Sequence, residues 1–471
     1  MTLLSLDPSS PTPLTDQIVT ALGRLVEERA VRAGTRMPSI RNFAAAHGIS
    51  RFTVVQAYDR LVAQGYLNSR QGSGFYVSPR PRPRDEGEST FMLERATDTL
   101  WLLRNALRQT GLKPMPGAGW LPGSWLEEAG IRRGLRALAA KSGDFLTAYG
   151  HPGGYPPLRD LLTHRLADIG VAADAGRIVL TKGATHALDL IARFFIRPGD
   201  AVLVDDPGYF ILFGALKSLG ARIIGVPWLH DGPDTVAMEA LILEHRPRLF
   251  FTNTVLHNPT GASISQPVAY RLLQLAGKYD LTIVEDDIYG DFHPARVTRL
   301  ATLDQLERVI YVGSFSKTVS PGLRVGYLAC RRDLAEHLTD LKLLTGLTTA
   351  EIGERVVYQL LADGHYRKHL DKLRGRLREA RELALRKLEQ FGFPPYLEPE
   401  GGMFVWAGAG EGVNVVEMAG AAAEKGIMLA PGNLFRPHQE PTPWLRFNVA
   451  SWGDEAALGF LADFRARGKT A

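Results

Sequence analysis

The sequence predicts two folded units, a small α+β head and a large α/β body with a mainly parallel sheet. Three observations predict this arrangement. The chain has 471 residues, more than a single domain usually holds. Residues 1–79 combine helical hydrophobic spacing with a hairpin pattern, whereas residues 117–471 alternate strand-like apolar runs with helical segments. A proline-rich and arginine-rich segment, residues 80–116, separates the two units.

Composition excludes several classes of protein. Hydrophobic residues make up 45% of the chain and charged residues 22%, as in ordinary soluble globular proteins. Cys330 is the single cysteine, so an intramolecular disulfide and a cysteine-rich metal site are excluded. The N-terminus lacks the basic segment of a secretion signal, and no apolar run reaches the length of a membrane span. We therefore expect a cytoplasmic protein that does not enter the membrane.

Positive charge is concentrated at the N-terminus. Residues 1–84 contain eleven arginines, no lysine and five acidic residues, whereas the net charge of the whole chain is only +5. A small basic unit joined to a nearly neutral body is typical of a nucleic-acid-binding module attached to another domain. Solvated surface arginines are the alternative explanation.

The head is predicted to contain three helices followed by a hairpin. Apolar residues recur at helical spacing in the first helix, namely Leu14, Ile18, Leu22 and Leu25. Ser39 is a natural N-cap for a second helix, Ile40 to His47, which Gly48 ends. Ser50 caps a third helix whose apolar side carries Val54, Val55, Tyr58, Leu61 and Val62. The short turn between these helices indicates a helix-turn-helix, and the alternation from Tyr66 to Val77 predicts a two-stranded wing.

The segment PSIRNFAAAHGISRFTVVQAYDRLVAQGYLNSRQGSGFYV resembles the winged helix-turn-helix of the GntR family of regulators. The resemblance implies that five residues face double-stranded DNA, namely Arg41, Ser50, Arg51, Thr53 and Gly72. General physics agrees, because the first turn of a recognition helix reaches base edges, arginine suits guanine, and hydroxyl groups suit phosphates. The alternative is that Ser50 is only a helix cap and Arg51 only a solvated charge.

The linker and the body differ sharply in pattern. Residues 80–116 begin with Pro-Arg repeats that cannot pack into a core, although the helical periodicity of 91–110 favours a docking helix within the linker. Six strand-like runs follow, alternating with helical segments: Ile178 to Leu180, Ala201 to Val204, Arg222 to Val226, Leu249 to Thr252, Thr282 to Glu285 and Val309 to Val312. This alternation predicts an α/β fold with a largely parallel sheet.

Eight short patterns occur in one order along the body. They are YGHPGGYPPLR (149–159), TKGATHAL (181–188), DDPGY (205–209), HNPTG (257–261), VEDDIYGDF (284–292), SFSK (314–317), PGLRVGY (321–327) and LRFNVA (445–450). Each is weak alone, but together they resemble a fold-type I aminotransferase that uses pyridoxal 5'-phosphate. In that chemistry the cofactor withdraws electrons, while the protein supplies orientation and electrostatics.

The resemblance implies a role for each matching residue. Lys317 forms the Schiff base with the cofactor, and Asp286 pairs with the pyridinium nitrogen; Asp287 is the competitor for that second role. Tyr289 and Asn258 hydrogen-bond the ring hydroxyl. The phosphate lies among Gly183, Ala184 and Thr185 at a helix N-terminus, together with Ser314, Ser316 and Arg324.

Three further residues complete the expected site. Tyr209 stacks on the pyridine ring, although a tyrosine after Pro-Gly is also an ordinary loop anchor. Tyr149 reaches the phosphate of the neighbouring subunit, which implies a homodimer with shared sites. Arg446 binds a substrate carboxylate in a bidentate pair. The segment from Met115 to Glu128 departs from the family's pattern at the substrate entrance, so the substrate stays open.

Other chemistries find little support in the sequence. Ser314 and Lys317 fit the first β-lactamase motif, but the two motifs that should follow are missing. His151, His186 and His257 lack the partner spacing of a metal site, so we expect structural histidines and no metal. Cys330 is expected to be buried and inert.

A GntR-like head fused to an aminotransferase-like body is the layout of the MocR subfamily of transcription regulators. The resemblance implies DNA binding controlled by an amino compound or by the cofactor itself. The alternative is an active aminotransferase with a secondary DNA-binding head, since no residue needed for transamination is visibly missing. A third alternative is a DNA-binding protein whose body only dimerises.

Overall fold

The computed structural model describes residues 4, 6–27, 30–70, 73–78, 114–410, 412–452 and 455–468. Contacts between residues divide the chain into two units, Met1–Leu93 and Glu94–Ala471, which we call the head and the body. The helix expected at 91–110 and the DNA contact expected at Gly72 lie outside the described residues. The domain boundaries at 79 and 117 stay predictions.

The described part of the head contains three helices and a hairpin, as predicted. They are α1 (Leu14–Glu27), α2 (Ile40–His47), α3 (Arg51–Ala63), β1 (Leu67–Arg70) and β2 (Gly74–Val77). The strands pair antiparallel, with Leu67 opposite Val77. The core includes Ile18 and Leu22 of α1, Phe43 of α2, and Tyr58 and Leu61 of α3. The head therefore has the winged helix-turn-helix arrangement that its hydrophobic spacing predicts.

Two serine caps and one glycine set the turn between α2 and α3. The amide of Asn42 donates to Ser39 Oγ (3.2 Å), and the amide of Thr53 donates to Ser50 Oγ (3.0 Å), which confirms both predicted caps. Gly48 follows α2 with φ +64°, a left-handed conformation that suits glycine. The buried face of α3 differs slightly from the prediction, because Ala57 is buried whereas Val55 and Val62 are only half-buried.

An eight-stranded mixed sheet forms the centre of the body. Its strands are β3 (Ile178–Thr181), β4 (Ala201–Asp206), β5 (Arg222–Leu229), β6 (Gly232–Pro233), β7 (Leu249–Thr252), β8 (Thr282–Asp286), β9 (Val309–Ser314) and β10 (Gly326–Ala329). The order is β3-β10-β9-β8-β7-β4-β5-β6. Strands β5, β4, β7, β8 and β9 pair in parallel, which confirms the mainly parallel sheet. Strand β10 runs antiparallel between β3 and β9, and β6 runs antiparallel to β5.

Helices cover both faces of this sheet, and a second sheet follows late in the chain. The helices are α4 (Glu128–Ala139), α5 (Pro156–Asp168), α6 (Ala184–Phe195), α7 (Phe210–Ser218), α8 (Thr235–His245), α9 (Gln266–Tyr279), α10 (Leu300–Asp304), α11 (Arg332–Gly346), α12 (Glu351–Ala362), α13 (His365–Gln390), α14 (Val415–Glu424) and α15 (Glu455–Gly468). The second sheet is antiparallel, with β11 (Phe404–Gly408) and β12 (Ala430–Pro431) on either side of β13 (Trp444–Asn448).

Each face of the central sheet is covered by its own hydrophobic cluster. Ile310 and Tyr311 are neighbours in β9, yet they belong to opposite clusters, and both are buried. Burial on both faces is typical of sheets built from parallel strands, and it leaves the strand ends as the place for polar groups. Within the described ranges, no helix has both the length and the apolar character needed to cross a membrane.

Candidate functional site

The predicted cofactor residues gather at one edge of the central sheet, where the parallel strands end. Asp286 is the last residue of β8, Ser314 is the last residue of β9, and Gly183 follows β3. Gly326 opens β10 directly opposite Ser314, which brings the preceding Arg324 to the same edge. In open α/β sheets, ligands bind at this carboxyl edge of the strands.

Asp286 is a buried carboxyl group with spare hydrogen-bonding capacity. Its side chain is buried, and among the described residues its Oδ1 has no hydrogen-bond partner. Burial raises the pKa of Asp286 to about 7; the backbone amide of Ile288 opposes the rise, and the neighbouring Asp287 adds to it. A buried carboxylate of this kind is costly unless a cationic partner reaches it. A protonated pyridine nitrogen is such a partner.

Asp287 lies in a different environment from Asp286. Its Oδ2 accepts hydrogen bonds from Arg299 Nε (2.6 Å) and from the hydroxyl of Tyr311 (2.7 Å). The guanidinium therefore neutralises Asp287 within the protein, whereas Asp286 lines a separate cavity with Tyr209. This geometry favours Asp286 over Asp287 for pairing with the cofactor.

Asn253 is a site residue that the sequence analysis missed. Its Nδ2 donates to the backbone oxygen of Asp286 (2.7 Å), and its Oδ1 accepts from the amide of Asn258 (2.8 Å). Its own amide donates to Asp205 Oδ2 (2.8 Å). Asn253 thus joins the ends of β4, β7 and β8, and its place just after β7 is the signal that could have identified it.

Lys317 lies in the turn that follows β9, close to the entrance segment. Its Nζ donates to the backbone oxygen of Gly119 (2.5 Å) and lies 6.0 Å from the centre of the Tyr289 ring. Burial and the charge of Arg446 lower the pKa of Lys317 to about 8, while Asp286 opposes that shift. The uncharged amine is the form that reacts with carbonyl groups, and a lowered pKa increases its fraction at neutral pH.

Arg446 is a buried cation held by neutral partners. Nη1 donates to Asn258 Oδ1 (2.9 Å) and Nη2 to the backbone oxygen of Gly117 (2.8 Å). The guanidinium lies between the rings of Phe404 and Phe435, 4.3 and 4.8 Å from their centres. In the part of the chain that the structure describes, Nε has no hydrogen-bond partner. Burial lowers the pKa of Arg446 to about 10, and a carboxylate is its natural ligand.

The predicted phosphate residues surround the start of α6. Gly183 has φ +76° and caps the helix, so the amides of Ala184 and Thr185 belong to its first turn. A Cβ on Gly183 would lie only 3.0 Å from the guanidinium of Arg324, whose Nη2 donates to the backbone oxygen of Lys182 (2.9 Å). A helix N-terminus beside an arginine favours an anion.

The remaining residues predicted to bind phosphate, Ser314 and Ser316, lie at the end of β9 and on the turn that carries Lys317. The hydroxyl of Ser314 donates to Ser316 Oγ (3.1 Å), and the amide of Ser316 donates back to Ser314 Oγ (3.2 Å). This local pair fixes the turn between β9 and Lys317. Both serines are half-buried, which leaves part of each residue open to a ligand.

Two tyrosines line the same site. Burial raises the pKa of Tyr209 to about 12, and a hydrogen bond with Thr185 links Tyr209 to the start of α6. Tyr289 is buried and packs edge-on against Phe404, with ring centres 5.3 Å apart. Burial raises the pKa of Tyr289 as well, so both phenols stay protonated and can donate hydrogen bonds at neutral pH.

Tyr149 is a surface residue, whereas His186 and His257 lie beside the site, in the first turn of α6 and 3.4 Å from Asp205 Oδ2 respectively. Tyr149 is 81% exposed, and its predicted contact with a neighbouring subunit stays a prediction. His151, His186 and His257 each engage in local hydrogen bonds, with the amides of Gly153 and Lys182 and with the Thr260 hydroxyl respectively. Within the described ranges, no three His, Cys, Asp or Glu side chains are grouped as metal ligands. Cys330 is buried, as expected, and burial raises its pKa to about 12.

The predicted DNA-contact residues lie on the surface of the head. Arg41, Ser50 and Arg51 are exposed, and Thr53 is half-buried. Ser50 also acts as the helix cap, so its hydroxyl serves the fold whether or not it reaches a phosphate. Phe52, which no sequence motif indicates as a contact residue, is 69% exposed between Arg51 and Thr53.

The body and the head each match a known protein family. Residues 125–463 match the family "Aminotransferase class I and II", and residues 14–77 match "Bacterial regulatory proteins, gntR family". The chain belongs to the class I and II aminotransferase family and carries a gntR-family head. That combination places it in the MocR subfamily.

The relatives include both transcriptional regulators and aminotransferases. YdfD of Bacillus subtilis, an uncharacterized HTH-type transcriptional regulator, is 28% identical over 434 residues, 88% of each chain. The 2-aminoadipate transaminase of Thermus thermophilus is 32% identical over 345 residues, 71% of this chain and 85% of that enzyme. The kynurenine aminotransferase structure from Pyrococcus horikoshii is 28% identical, with a TM-score of 0.73, covering 80% of this chain and 96% of that one.

The MocR assignment fits the site described above. Pyridoxal 5'-phosphate is the cofactor of this body. Three local observations agree with that cofactor: Asp286 Oδ1 has no hydrogen-bond partner among the described residues, the pKa of the Lys317 amine is lowered, and α6 starts at a glycine beside Arg324. The gntR-family head binds DNA.

Proposed function

We propose that this chain is a transcription regulator whose affinity for DNA changes when an amino compound binds in its body. The observation that carries the proposal is a gntR-family head joined to a body in which Asp286 and Arg446 are buried near Lys317, each with one side-chain atom that has no hydrogen-bond partner in the described part of the chain. A body used only for dimerisation would gain nothing from such groups, because unsatisfied buried polar atoms lower stability.

Each residue would have a distinct task in holding the cofactor. Lys317 would attach it, Asp286 would pair with the ring nitrogen, and Asn258 with Tyr289 would hold the ring hydroxyl. When bound, pyridoxal phosphate supplies an aldehyde carbon that exchanges one amine for another and a ring that withdraws electrons. The pKa of about 8 leaves part of the Lys317 amine uncharged near neutral pH, and the uncharged form is the reactive one.

The phosphate and the ring face would be held by residues on two elements. The start of α6 would contribute Gly183, Ala184 and Thr185, and the turn around β9 and β10 would contribute Ser314, Ser316 and Arg324. Tyr209 would stack on the ring, since its link to Thr185 keeps it beside the phosphate position. Both groups of residues are attached to regular elements, α6 and the strands β9 and β10, which suits precise placement of a ligand.

The effector is proposed to carry an amine and a carboxylate. Arg446 can offer a carboxylate its Nε and Nη groups in a bidentate pair, and the flanking Phe404 and Phe435 rings exclude water from that pair. The amine would reach the cofactor at Lys317. Amino acids and related amino compounds have both groups.

A homodimer is proposed as the functional assembly. Tyr149 exposes 81% of its surface, which makes it available to a second copy of the chain. A two-fold dimer would carry two DNA-binding heads, and operators read by such dimers contain two half-sites.

Transamination is the second candidate function, and one observation favours it. Arg446 donates to Asn258, and Lys317 lies 6.0 Å from the Tyr289 ring, so the groups expected for transamination lie close together; the 2-aminoadipate transaminase of Thermus thermophilus is 32% identical. An enzyme, however, has no catalytic use for a basic DNA-binding head. Regulation therefore remains the favoured function.

The test measures DNA binding, the cofactor spectrum and turnover on the same full-length, cofactor-loaded protein. An operator is first selected from a random duplex library, and its affinity is then measured at fixed salt with a panel of amino compounds. At least one compound should change the visible spectrum and shift operator affinity by roughly 5- to 150-fold, the usual range of allosteric coupling. Turnover should stay well below the enzyme median of ~10 per second.

Arg446→Gln is the matched control, because it removes the guanidinium that would bind the effector's carboxylate and does not change the head. The variant should bind the operator normally but lose the response to the amino compound. Rapid multiple turnover of an amino acid without any effect on DNA binding would instead establish the aminotransferase function.

A further inference from the structure

Phe52 is the exposed large hydrophobic side chain of the head. Among the described head residues it alone combines large apolar size with high exposure, 69% of its surface. A single exposed hydrophobic residue is ordinary on a protein surface. Its location suggests a role in DNA contact, because Phe52 lies in the first turn of α3, between the predicted DNA-contact residues Arg51 and Thr53.

Helical geometry points Phe52 directly away from the head's core. The buried residues of α3 are Val54, Ala57, Tyr58 and Leu61, which share one face. At 3.6 residues per turn, Phe52 lies on the opposite face, and the exposed Gln56 follows it one turn later. In a helix-turn-helix this outer face, at the N-terminal end of the second helix, enters the major groove.

The backbone that carries Phe52 is fixed in place. The amide of Thr53 donates to Ser50 Oγ (3.0 Å), and the hydroxyls of the same two residues lie 2.8 Å apart. The cap therefore holds the first turn on both sides of Phe52. A phenyl ring on a fixed backbone loses little conformational freedom when it contacts a ligand.

The chemistry of the major groove leaves one partner for such a ring. A phenyl group makes no conventional hydrogen bonds, whereas most base-pair features in the groove are hydrogen-bond donors or acceptors. The exception in unmodified DNA is the C5-methyl group of thymine, which apolar side chains contact.

We propose that Phe52 reads the C5-methyl group of a thymine in each half-site of the operator. The inference rests on the proposed DNA-binding function and adds a specificity residue that forms no hydrogen bond. In this proposal Arg51 recognises the DNA through hydrogen bonds from its guanidinium, and Phe52 recognises the thymine methyl group through its ring.

The experiment removes the methyl group without changing any hydrogen bond. Full-length, cofactor-loaded protein selects its operator from a random duplex library, and each thymine of one half-site is then replaced singly by deoxyuridine. One replacement should weaken binding by about fourfold, the value of one buried methyl group. The same replacement should have no effect on Phe52→Ala, while Phe52→Leu should keep part of the discrimination.

Leu344→Ala is the control for loss of exposed apolar surface, because Leu344 is 85% exposed on α11 of the body. This variant should discriminate thymine from deoxyuridine as the wild type does. The far-ultraviolet circular dichroism of Phe52→Ala should match the wild type, since the ring contributes little to the core.

Two outcomes would overturn the inference while leaving DNA binding intact. One is equal affinity of the wild type for every deoxyuridine-substituted operator, and the other is the same loss in Phe52→Ala as in the wild type. Failure to enrich any DNA would instead overturn the proposed function itself, so the two failures are distinguishable.

Discussion

Lys317 reacts through its uncharged amine, so the pKa of that amine sets the pH range for cofactor uptake. Burial and the nearby Arg446 lower this pKa to about 8. The rate of covalent cofactor attachment to cofactor-free protein should therefore rise with pH and level off above about 8, rather than near 10.5 as for an ordinary lysine. Stopped-flow absorbance across pH 6.5–10 with a fixed cofactor concentration checks this. A midpoint near 10.5 would contradict it.

Lys317→Ala provides the control for that measurement. The variant should retain no cofactor on the peptide that contains residue 317 after borohydride reduction and denaturation, because the attachment point is gone. Mass spectrometry of that peptide from both proteins decides the question. An adduct on the same peptide of the variant would mean that another group attaches the cofactor.

The adjacent carboxyl groups Asp286 and Asp287 should respond in opposite ways to replacement by asparagine. Asp287→Asn leaves the buried Arg299 unpaired and should cost ~3–5 kcal/mol of unfolding free energy. Asp286→Asn removes a buried carboxylate whose Oδ1 has no hydrogen-bond partner among the described residues, so the cofactor-free variant should be at least as stable as the wild type at pH 8. Urea unfolding of the cofactor-free proteins measures both effects.

The pH dependence gives a separate test of Asp286. Its folded-state pKa is raised from 3.8 to about 7, so its contribution favours folding at low pH and is lost as the pH rises through 7. The unfolding free energy of the wild type, minus that of Asp286→Asn, should therefore fall between pH 4 and pH 7. A flat difference over that range would mean that Asp286 is ionised freely in the folded protein.

At the scale of elements, α3 separates folding from recognition through Ser50 and Arg51. Ser50→Ala should lower the unfolding free energy of the head by about 1 kcal/mol, the typical value of an N-cap. Arg51→Ala should leave stability unchanged and weaken operator binding by ~1–3 kcal/mol, because its exposed guanidinium makes no contribution to the core. Thermal unfolding and fluorescence anisotropy at matched salt distinguish the two. Equal DNA affinity of Arg51→Ala and wild type would leave Arg51 as a solvated charge.

Elements with strong local patterns, and apolar runs such as Leu249 to Thr252, could be predicted from the sequence, whereas strand β10 could not. The bounds of α2 and both serine caps follow from Ser39, Gly48 and Ser50, since capping depends on neighbouring residues. Strand β10 was not predicted, because its four buried residues, Gly326 to Ala329, show no alternation of apolar and polar residues that would distinguish a strand from a loop.

At the scale of the whole molecule, the sequence indicates candidate site residues but not most of their contacts. Lys317 and Arg446 could be identified from short motifs, yet each also contacts a backbone carbonyl of the entrance segment, Gly119 or Gly117. These contacts join residues about 200 and 330 positions apart, and they depend on the fold rather than on local pattern. Asn253 was missed for the same reason, because its role lies in joining three strand ends.

Shared sites in a homodimer make a prediction that only the whole assembly can satisfy. If Tyr149 binds the phosphate in the neighbouring subunit, then Tyr149→Phe should lower cofactor affinity roughly 10- to 100-fold, as expected for a lost hydrogen bond to a charged group. Lys317→Ala should bind no cofactor covalently. In a mixed dimer of the two variants, however, the remaining Lys317 faces the intact Tyr149 of the other chain.

Co-expression of the two variants with different tags, followed by cofactor titration of the purified mixed dimer, tests this arrangement. One of its two sites should regain wild-type affinity, because that site combines Lys317 of one chain with Tyr149 of the other. Mixed dimers that keep the weak affinity of Tyr149→Phe would place Tyr149 in the site of its own chain. A wild-type affinity for Tyr149→Phe alone would remove Tyr149 from the phosphate site, and a chain that stays monomeric at micromolar concentration would remove the shared site altogether.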